Sequence, residues 1–340
     1  GAAQAAGQRL DHIHAVSALH ALARAGADAA ELRGDERFLG LLAALDHGSA
    51  PVGLLQLDAR GLSTLLWSLG RLGHDPGYVT LDFLAGRARA LAPVFAAADF
   101  AQFCAGARAL EYAPHAAVAH ELEAALRAKA GDLRGPELNA VLGFFAGTVG
   151  RLQPETLWAL EAAAAALGRA GALGARETAG VLWAFARLRF APSDAFLEAA
   201  EAALLRDAAQ LGPQDAFQAL SALRRFQRPA RARLLVLAEA VGQARSMGAR
   251  DLAQLALELS HHPGPAAREA MVTVGDALGG LAARASARAL AKFLKGCDRL
   301  GVAPPPGVLA AVEARFGGGA AAEEGPAAAG AEPCSRSERA

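Results

Sequence analysis

The chain is 340 residues long, 53% apolar and 6% aromatic, with 34 bases balanced by 34 acids. That length suits two ordinary domains or one extended repeat array, while the zero net charge excludes recruitment of the whole molecule to nucleic acid or an anionic membrane by its overall field. The three cysteines, Cys104, Cys297 and Cys334, lie far apart without a CxxC pair, which argues against a disulfide framework or a cysteine-rich zinc site and fits a reducing compartment.

Residues 1–9 read as an N-terminal tail. Their segment, GAAQAAGQRL, has no acid before Asp11 and is either the end of a trimmed organellar presequence or a boundary without meaning. Further on, no apolar run reaches the roughly 18–20 residues of a membrane span before Arg, Glu, Gly or Pro interrupts it, so no membrane partner is expected. Only Lys129, Lys292 and Lys295 are lysines; the arginine bias matches a GC-rich coding genome and carries little functional weight alone.

From residue 10 the chain repeats itself. LLWSLGRLGHDP at 65–76 returns as LWAFARLRFAP at 182–192, and aligning on the tryptophan gives anchors at Trp67, Ala105, Gly143, Trp183, Ser221, Leu257 and Lys295. The intervals are 38, 38, 40, 38, 36 and 38 residues. Around each anchor an amphipathic phrase recurs, as in ARGLSTLLW, whose Leu62, Leu65, Leu66, Leu69 and Leu72 follow the i, i+3, i+4, i+7 spacing of a helix. Each unit then carries a breaker and a proline, at Pro76, Pro114, Pro154, Pro192, Pro229, Pro265 and Pro304, suited to the first turn of a second helix. Phe196, Leu197, Ala200, Ala203 and Leu204 form the buried stripe of one such helix.

An earlier copy, SALHALARAG at 17–26, matches STLLWSLGRLG at 63–73, but its Arg24 precedes Arg71 by 47 residues. The first unit therefore holds about nine extra residues, expected as a surface loop in ELRGDER or DHGSAPVG. Eight helix pairs thus run over residues 10–316. Each has one apolar face too many to stand alone, which predicts an all-α fold: a right-handed α-solenoid of about eight repeats of ~38 residues. Residues 317–340 are low-complexity without large apolar side chains, and are expected to be disordered.

The phrase ARETAGVLWAFARLRFAP, with Leu182-Trp183-Ala184, together with Leu66-Trp67-Ser68 and Gln214-Asp215 in GPQDAFQALSAL, resembles the octotricopeptide repeat family. It is also similar to the helical repeats of FAST-kinase-like and RAP-domain proteins, although no RAP-like terminal domain is visible. The resemblance implies a non-catalytic protein of an organelle, the mitochondrion before the chloroplast. It implies single-stranded or ribosomal RNA as partner, in RNA stabilisation, processing or translation, or as an accessory protein of an organellar ribosome beside ribosomal proteins. A protein-interaction scaffold is the alternative.

In helical-repeat RNA binders two or three side chains per repeat meet each base, commonly from the first helix. Three residues before the anchors stand Thr64, Gln102, Ala140, Gly180, Gln218, Gln254 and Lys292, with Asn139 one position earlier. Thr, Gln and Asn offer the donor and acceptor pairs that base edges require, but the same positions also suit a solvated helix face. Seven residues before the anchor, Arg60, Arg176, Arg250 and Arg288 recur. A cation at a helix N-terminus opposes the helix dipole, so each calls for phosphate or for an acid: Glu177 or Asp251 next to it, or one on the adjacent repeat. A second row, Arg71, Arg151, Arg187, Arg224, Arg225 and Arg299, sits at the end of the first helix, where it favours the dipole.

Trp67, Trp183 and Trp158 read as core residues, with base stacking as the alternative for the first two. The histidines lack a HExxH arrangement, no Walker loop or GxGxxG after a strand occurs, and Cys104 reads as buried packing. Neither catalysis, cofactor, metal nor small-molecule substrate is expected. Without the C-terminal tail, 32 bases face 30 acids. That balance asks for a local basic face, or for a protein-dominated partner surface such as a ribosome offers.

Overall fold

The computed structural model describes residues 11–45, 52–228 and 230–316, which form eighteen helices and no strand. The tails expected at 1–9 and 317–340, most of the DHGSAPVG segment, Pro229 and Cys334 lie outside the described residues. No described helix is long and apolar enough to cross a membrane.

The protein divides into two compact units, residues 1–240 and 241–340. The first opens with α1 (His12–Ala25), then the short α2 (Ala29–Leu32), α3 (Glu36–Leu45) and α4 (Val52–Leu55). The ELRGDER segment is thus no simple loop. It joins two helices, where the Asp28 carboxylate accepts from Ala30 N–H at 2.6 Å and Asp35 from Arg37 N–H at 2.8 Å.

Helix pairs follow: α5 (Ala59–Arg71) with α6 (Tyr78–Leu91), α7 (Ala97–Ala109) with α8 (Ala116–Lys129), and α9 (Gly135–Phe144) with α10 (Pro154–Arg169). Then come α11 (Ala175–Arg187) with α12 (Asp194–Asp207), and α13 (Pro213–Arg225) with α14 (Ala230–Gly242). The second unit contains α15 (Ala249–Leu259), α16 (Pro265–Gly279), α17 (Ala287–Leu300) and α18 (Pro306–Phe316). The seven first helices begin at residues 59, 97, 135, 175, 213, 249 and 287. Every anchor is therefore the ninth residue of its helix.

Packing follows the same repeat. Within the first unit α5 lies on α7, α7 on α9, α9 on α11 and α11 on α13, while α6, α8, α10 and α12 pack in turn on one another. Within the second, α15 lies on α17 and α16 on α18. Within each unit these contacts between a helix and the next but one give repeated, solenoid-like packing. The leucines of α5 and the Phe196 stripe of α12 are buried as their spacing predicts.

The ends of the first helices are built alike. Ten residues before each anchor a buried apolar side chain, Leu57, Phe95, Leu133, Leu173, Leu211, Met247 or Ala285, precedes the N-cap. This is the outer half of a hydrophobic staple, packing back on the first turn; Phe95 and Phe100 meet so, with ring centroids 5.0 Å apart. Asp58 and Ser286 cap with their own side chains, accepting from Gly61 N–H at 2.7 Å and Ala289 N–H at 3.2 Å. Where the N-cap is Ala96 or Arg134, the acid three residues on reaches back: Asp99 and Glu137 each accept from the N-cap N–H at 2.9 Å.

At the other end, six residues after the anchor, the backbone turns left-handed at Gly73 (φ 60°), Glu111 (φ 53°), Arg189 (φ 58°), Gln227 (φ 54°) and Gly301 (φ 65°). The next N–H then bonds the carbonyl five back, as His74 to Leu69, Tyr112 to Ala107 and Phe190 to Phe185. This closure satisfies carbonyls that the helix leaves open. The α9 helix ends differently, in a π turn over Phe145–Val149 closed by Gly150 (φ 79°).

The prolines depart from expectation. Pro154 and Pro265 begin their helices, but Pro76, Pro114, Pro192 and Pro304 stand two residues before theirs, at Tyr78, Ala116, Asp194 and Pro306. There they hold the chain extended on its way into the cap, since proline disfavours helical backbone in the residue before it.

Successive first helices come close enough for backbone contact. A Cβ at Gly106 would fall inside the backbone of Leu66, whereas at Gly86, on α6, it would meet nothing within 4 Å. Gly106→Ala is expected to cost about 1–3 kcal/mol through forced displacement, and Gly86→Ala to add about 0.5–1 kcal/mol through helix propensity. Gln227→Gly should stabilise by about 0.5–1 kcal/mol by relieving a left-handed non-glycine residue. Urea unfolding midpoints of the three variants check all three signs.

Candidate nucleic-acid interface

The arginines seven residues before the anchors occupy the second position of α5, α11, α15 and α17, and Arg60, Arg176, Arg250 and Arg288 are all exposed. Their circumstances differ. Arg176 donates from Nε to Asp215 Oδ2 at 3.2 Å, the acid of the next first helix, so at this position the adjacent-repeat acid is the partner. Arg60, Arg250 and Arg288 make no ion pair among the described residues. Nor does the next residue in the chain serve Arg176: the Glu177 carboxylate instead bends back over Gly174. No acid stands in the first turn of α5 or α17, but α5 carries the Asp58 carboxylate at its N-cap, two residues from Arg60, which leaves Arg288, behind the neutral cap Ser286, on the first helix with least local compensation.

The polar row three residues before the anchors lies half-buried between neighbouring first helices. Thr64 Oγ1 donates to Gln102 Oε1 at 3.1 Å, and Lys292 Nζ to Gln254 Oε1 at 3.0 Å, each across one repeat. The Gln254 amide further donates to the buried Glu258 Oε1 at 3.2 Å. Asn139 lies over the Cα of Gly180, filling the space a side chain there would need. Gln218 is half-buried and has no hydrogen-bond partner among the described residues. The row is thus largely a ladder joining adjacent helices, and a base edge would have to displace those bonds.

The structure gathers three of the candidates. Arg60, Thr64 and Gln102 line one cavity of about 480 Å³ with His12, Ser17 and His20 of α1, and His20 meets Trp67 edge-on at 5.4 Å between ring centroids. In the second unit Arg250 and Gln254 of α15 stand beside Arg288 and Lys292 of the neighbouring α17. Arg176, Asn139 and Gln218 are spread over α11, α9 and α13.

The tryptophans need correction. Trp158 is 59% exposed on α10, because the i, i+3, i+4 stripe of that helix runs through Leu157, Leu160 and Ala164 and turns Trp158 outward. Trp67 and Trp183 are half-buried rather than core. Sequence reasoning missed what surrounds Trp183: the guanidinium carbons of Arg108 and Arg187 each lie 5.9 Å from its ring centroid, within cation–π range. The only signal available was the arginine that closes several of the first helices. In that second row Arg71, Arg187, Arg224, Arg225 and Arg299 do sit in last turns; Arg151 lies beyond its helix. Arg187 Nε bonds the Ala146 carbonyl of the preceding repeat at 2.9 Å rather than its own helix end.

Cys104 and Cys297 are buried; burial pushes the Cys104 thiol up, and that of Cys297 to about 11. Neither is a thiolate near neutral pH. Burial lowers the affinity of His74 for a proton. No group of three His, Cys, Asp or Glu side chains among the described residues could hold a metal ion. The chain matches no known protein family, and no curated protein.

The ladder can be measured by itself. A double-mutant cycle on Gln254→Ala and Lys292→Ala, followed by urea unfolding, should return a coupling of about 0.5–1.5 kcal/mol, the net worth of one such bond. Additive effects would mean that these side chains stand independently.

Proposed function

We propose that the chain is an α-solenoid of about eight helix-pair repeats that binds RNA without catalysing a reaction on it. The observation that carries this reading is the exposed arginine at a fixed register of four first helices, without an ion pair among the described residues at Arg60, Arg250 and Arg288. Guanidinium and first-turn N–H groups together suit a phosphate. Because much of the polar row is engaged between helices, the RNA backbone rather than the base edges is the principal contact, beside Thr64, Gln102, Asn139 and Gln218 in the first unit and beside Gln254 and Lys292 in the second. Contacts to phosphate position a strand without reading its sequence, which fits holding single-stranded or ribosomal RNA.

The resemblance to octotricopeptide repeats supports an organelle, the mitochondrion before the chloroplast, and a role in RNA stabilisation, processing or translation or beside an organellar ribosome. A protein scaffold is the second reading. It is favoured by the zero net charge and by apolar side chains open to solvent on second helices, Tyr78, Val79 and Trp158.

The test is fluorescence anisotropy of a labelled single-stranded RNA with the full chain, between about 50 and 200 mM salt. Binding should weaken with salt. Arg60→Ala, Arg250→Ala and Arg288→Ala should each reduce the log–log slope by about 0.7 where the arginine meets one phosphate. If the RNA is not bound, and the tagged chain isolated from organelles retains an RNase-resistant protein set, the scaffold reading replaces this one.

A further inference from the structure

We infer that Arg108, Trp183 and Arg187 form a seat for one nucleotide of a single-stranded RNA, an aromatic platform flanked by two cations. The inference rests on the RNA reading and adds to it a place where a base, not only a phosphate, is held.

Four observations carry it. Arg108 belongs to α7, yet its guanidinium reaches Trp183 on α11, two first helices away. To do so it passes over Gly143, where a Cβ would collide with Arg108 Nη1, and by Gly147, where a Cβ would lie in ordinary contact, 3.8 Å from Arg108 Nε and 4.0 Å from the Trp183 ring. Glycine at 143 therefore opens the channel that brings Arg108 to the ring. Second, two like charges converge. Each guanidinium carbon lies 5.9 Å from the same ring centroid, and two cations gathered at one aromatic ring favour an anionic neighbour.

Third, Arg187 anchors Nε on the Ala146 carbonyl, which fixes its plane and leaves its terminal nitrogens free to donate. Neither arginine is paired with Glu111, the carboxylate lining the same pocket. Fourth, the pocket has a volume of about 460 Å³, with Thr148 in its lining, within the range of small-ligand sites. Gly147 and Thr148 of its lining belong to the π turn Phe145–Val149, the one π segment among the described residues, a feature frequent at binding sites. An aromatic face beside two guanidinium forks suits a planar, anionic unit: the base stacks on Trp183 or on a guanidinium plane, and its phosphate bridges Arg108 and Arg187.

The experiment uses the full chain carrying Trp67→Phe and Trp158→Phe, so that Trp183 is the sole tryptophan. Labelled single-stranded RNA is titrated, reading anisotropy for binding and Trp183 emission for the seat. The expected result is quenching that saturates in parallel with anisotropy. The pair Arg108→Ala and Arg187→Ala should weaken binding about tenfold or more and remove the quench, with far-UV circular dichroism unchanged. Binding without any change in Trp183 emission would overturn the seat and leave the RNA reading standing; absence of binding would overturn both. Inorganic phosphate alone reproducing the quench would reduce the site to an anion contact, and uridine monophosphate quenching where RNA does not bind would assign it to a free nucleotide. Either outcome overturns the inference.

Discussion

The close approach of successive first helices decides most of what the rest of the molecule can do. In five of the seven first helices the residue after the anchor is small and buried, Ser68, Gly106, Ala184, Ala222 or Gly296, while Phe144 and Glu258 take that place in α9 and α15. At Gly106 and Gly296 a Cβ would meet main chain of the preceding first helix, at Leu66 and Ala256. Helices this close bring equivalent positions of neighbouring repeats side by side. Polar side chains three residues before the anchor then have each other as nearest partners, and Thr64–Gln102 and Gln254–Lys292 follow. The ladder is a consequence of the spacing, because a half-buried donor left without a partner is more costly than a bonded one is favourable.

Between α9 and α11 the same constraint gives another outcome. Glycine there stands at Gly143, Gly147 and Gly180, and what fills the space is not main chain but side chains, Arg108 over the first two and Asn139 over the third. Glycine at an interface thus serves two ends in one fold: tight packing where the facing residue is small, and a channel for a long side chain where it is not. The π turn at the end of α9 belongs to this stretch, and Trp183 meets its cations there.

Much of this was legible in the sequence. The spacing of the anchors and the starts of the seven helices agree residue for residue, since a 3.6-residue apolar stripe and a breaker leave little freedom in register. The helix ends were less legible. Glu111, Arg189 and Gln227 adopt a conformation usually given to glycine, and nothing in their identity announces it; only alignment with Gly73 and Gly301 does. Trp158 misled because a large apolar residue in an apolar phrase reads as core, while one step of 100° around the helix decides between core and solvent. The partners of the polar row were hidden for another reason: the sequence shows that a glutamine repeats, but whether it bonds its neighbour depends on an interhelical distance set elsewhere, by the small residues.

A neutral chain can still hold a polyanion if its charges are sorted by position, and the helix caps do the sorting. The acid three residues into several first helices, Asp99 or Glu137, is turned onto its own N-cap N–H, so part of its charge is engaged by the helix that carries it. Asp215 neutralises Arg176. Where the cap is Asp58 or Ser286 the third position is Gly61 or Ala289, and the arginine beside it, Arg60 or Arg288, meets no acid in its own first turn after the cap. The choice of cap therefore matters for charge: the neutral Ser286 leaves Arg288 uncompensated, whereas the Asp58 carboxylate stands two residues from Arg60. With a Debye length of roughly 8 Å at physiological salt, a phosphate approaching either arginine senses that local arrangement far more than the zero sum over 340 residues.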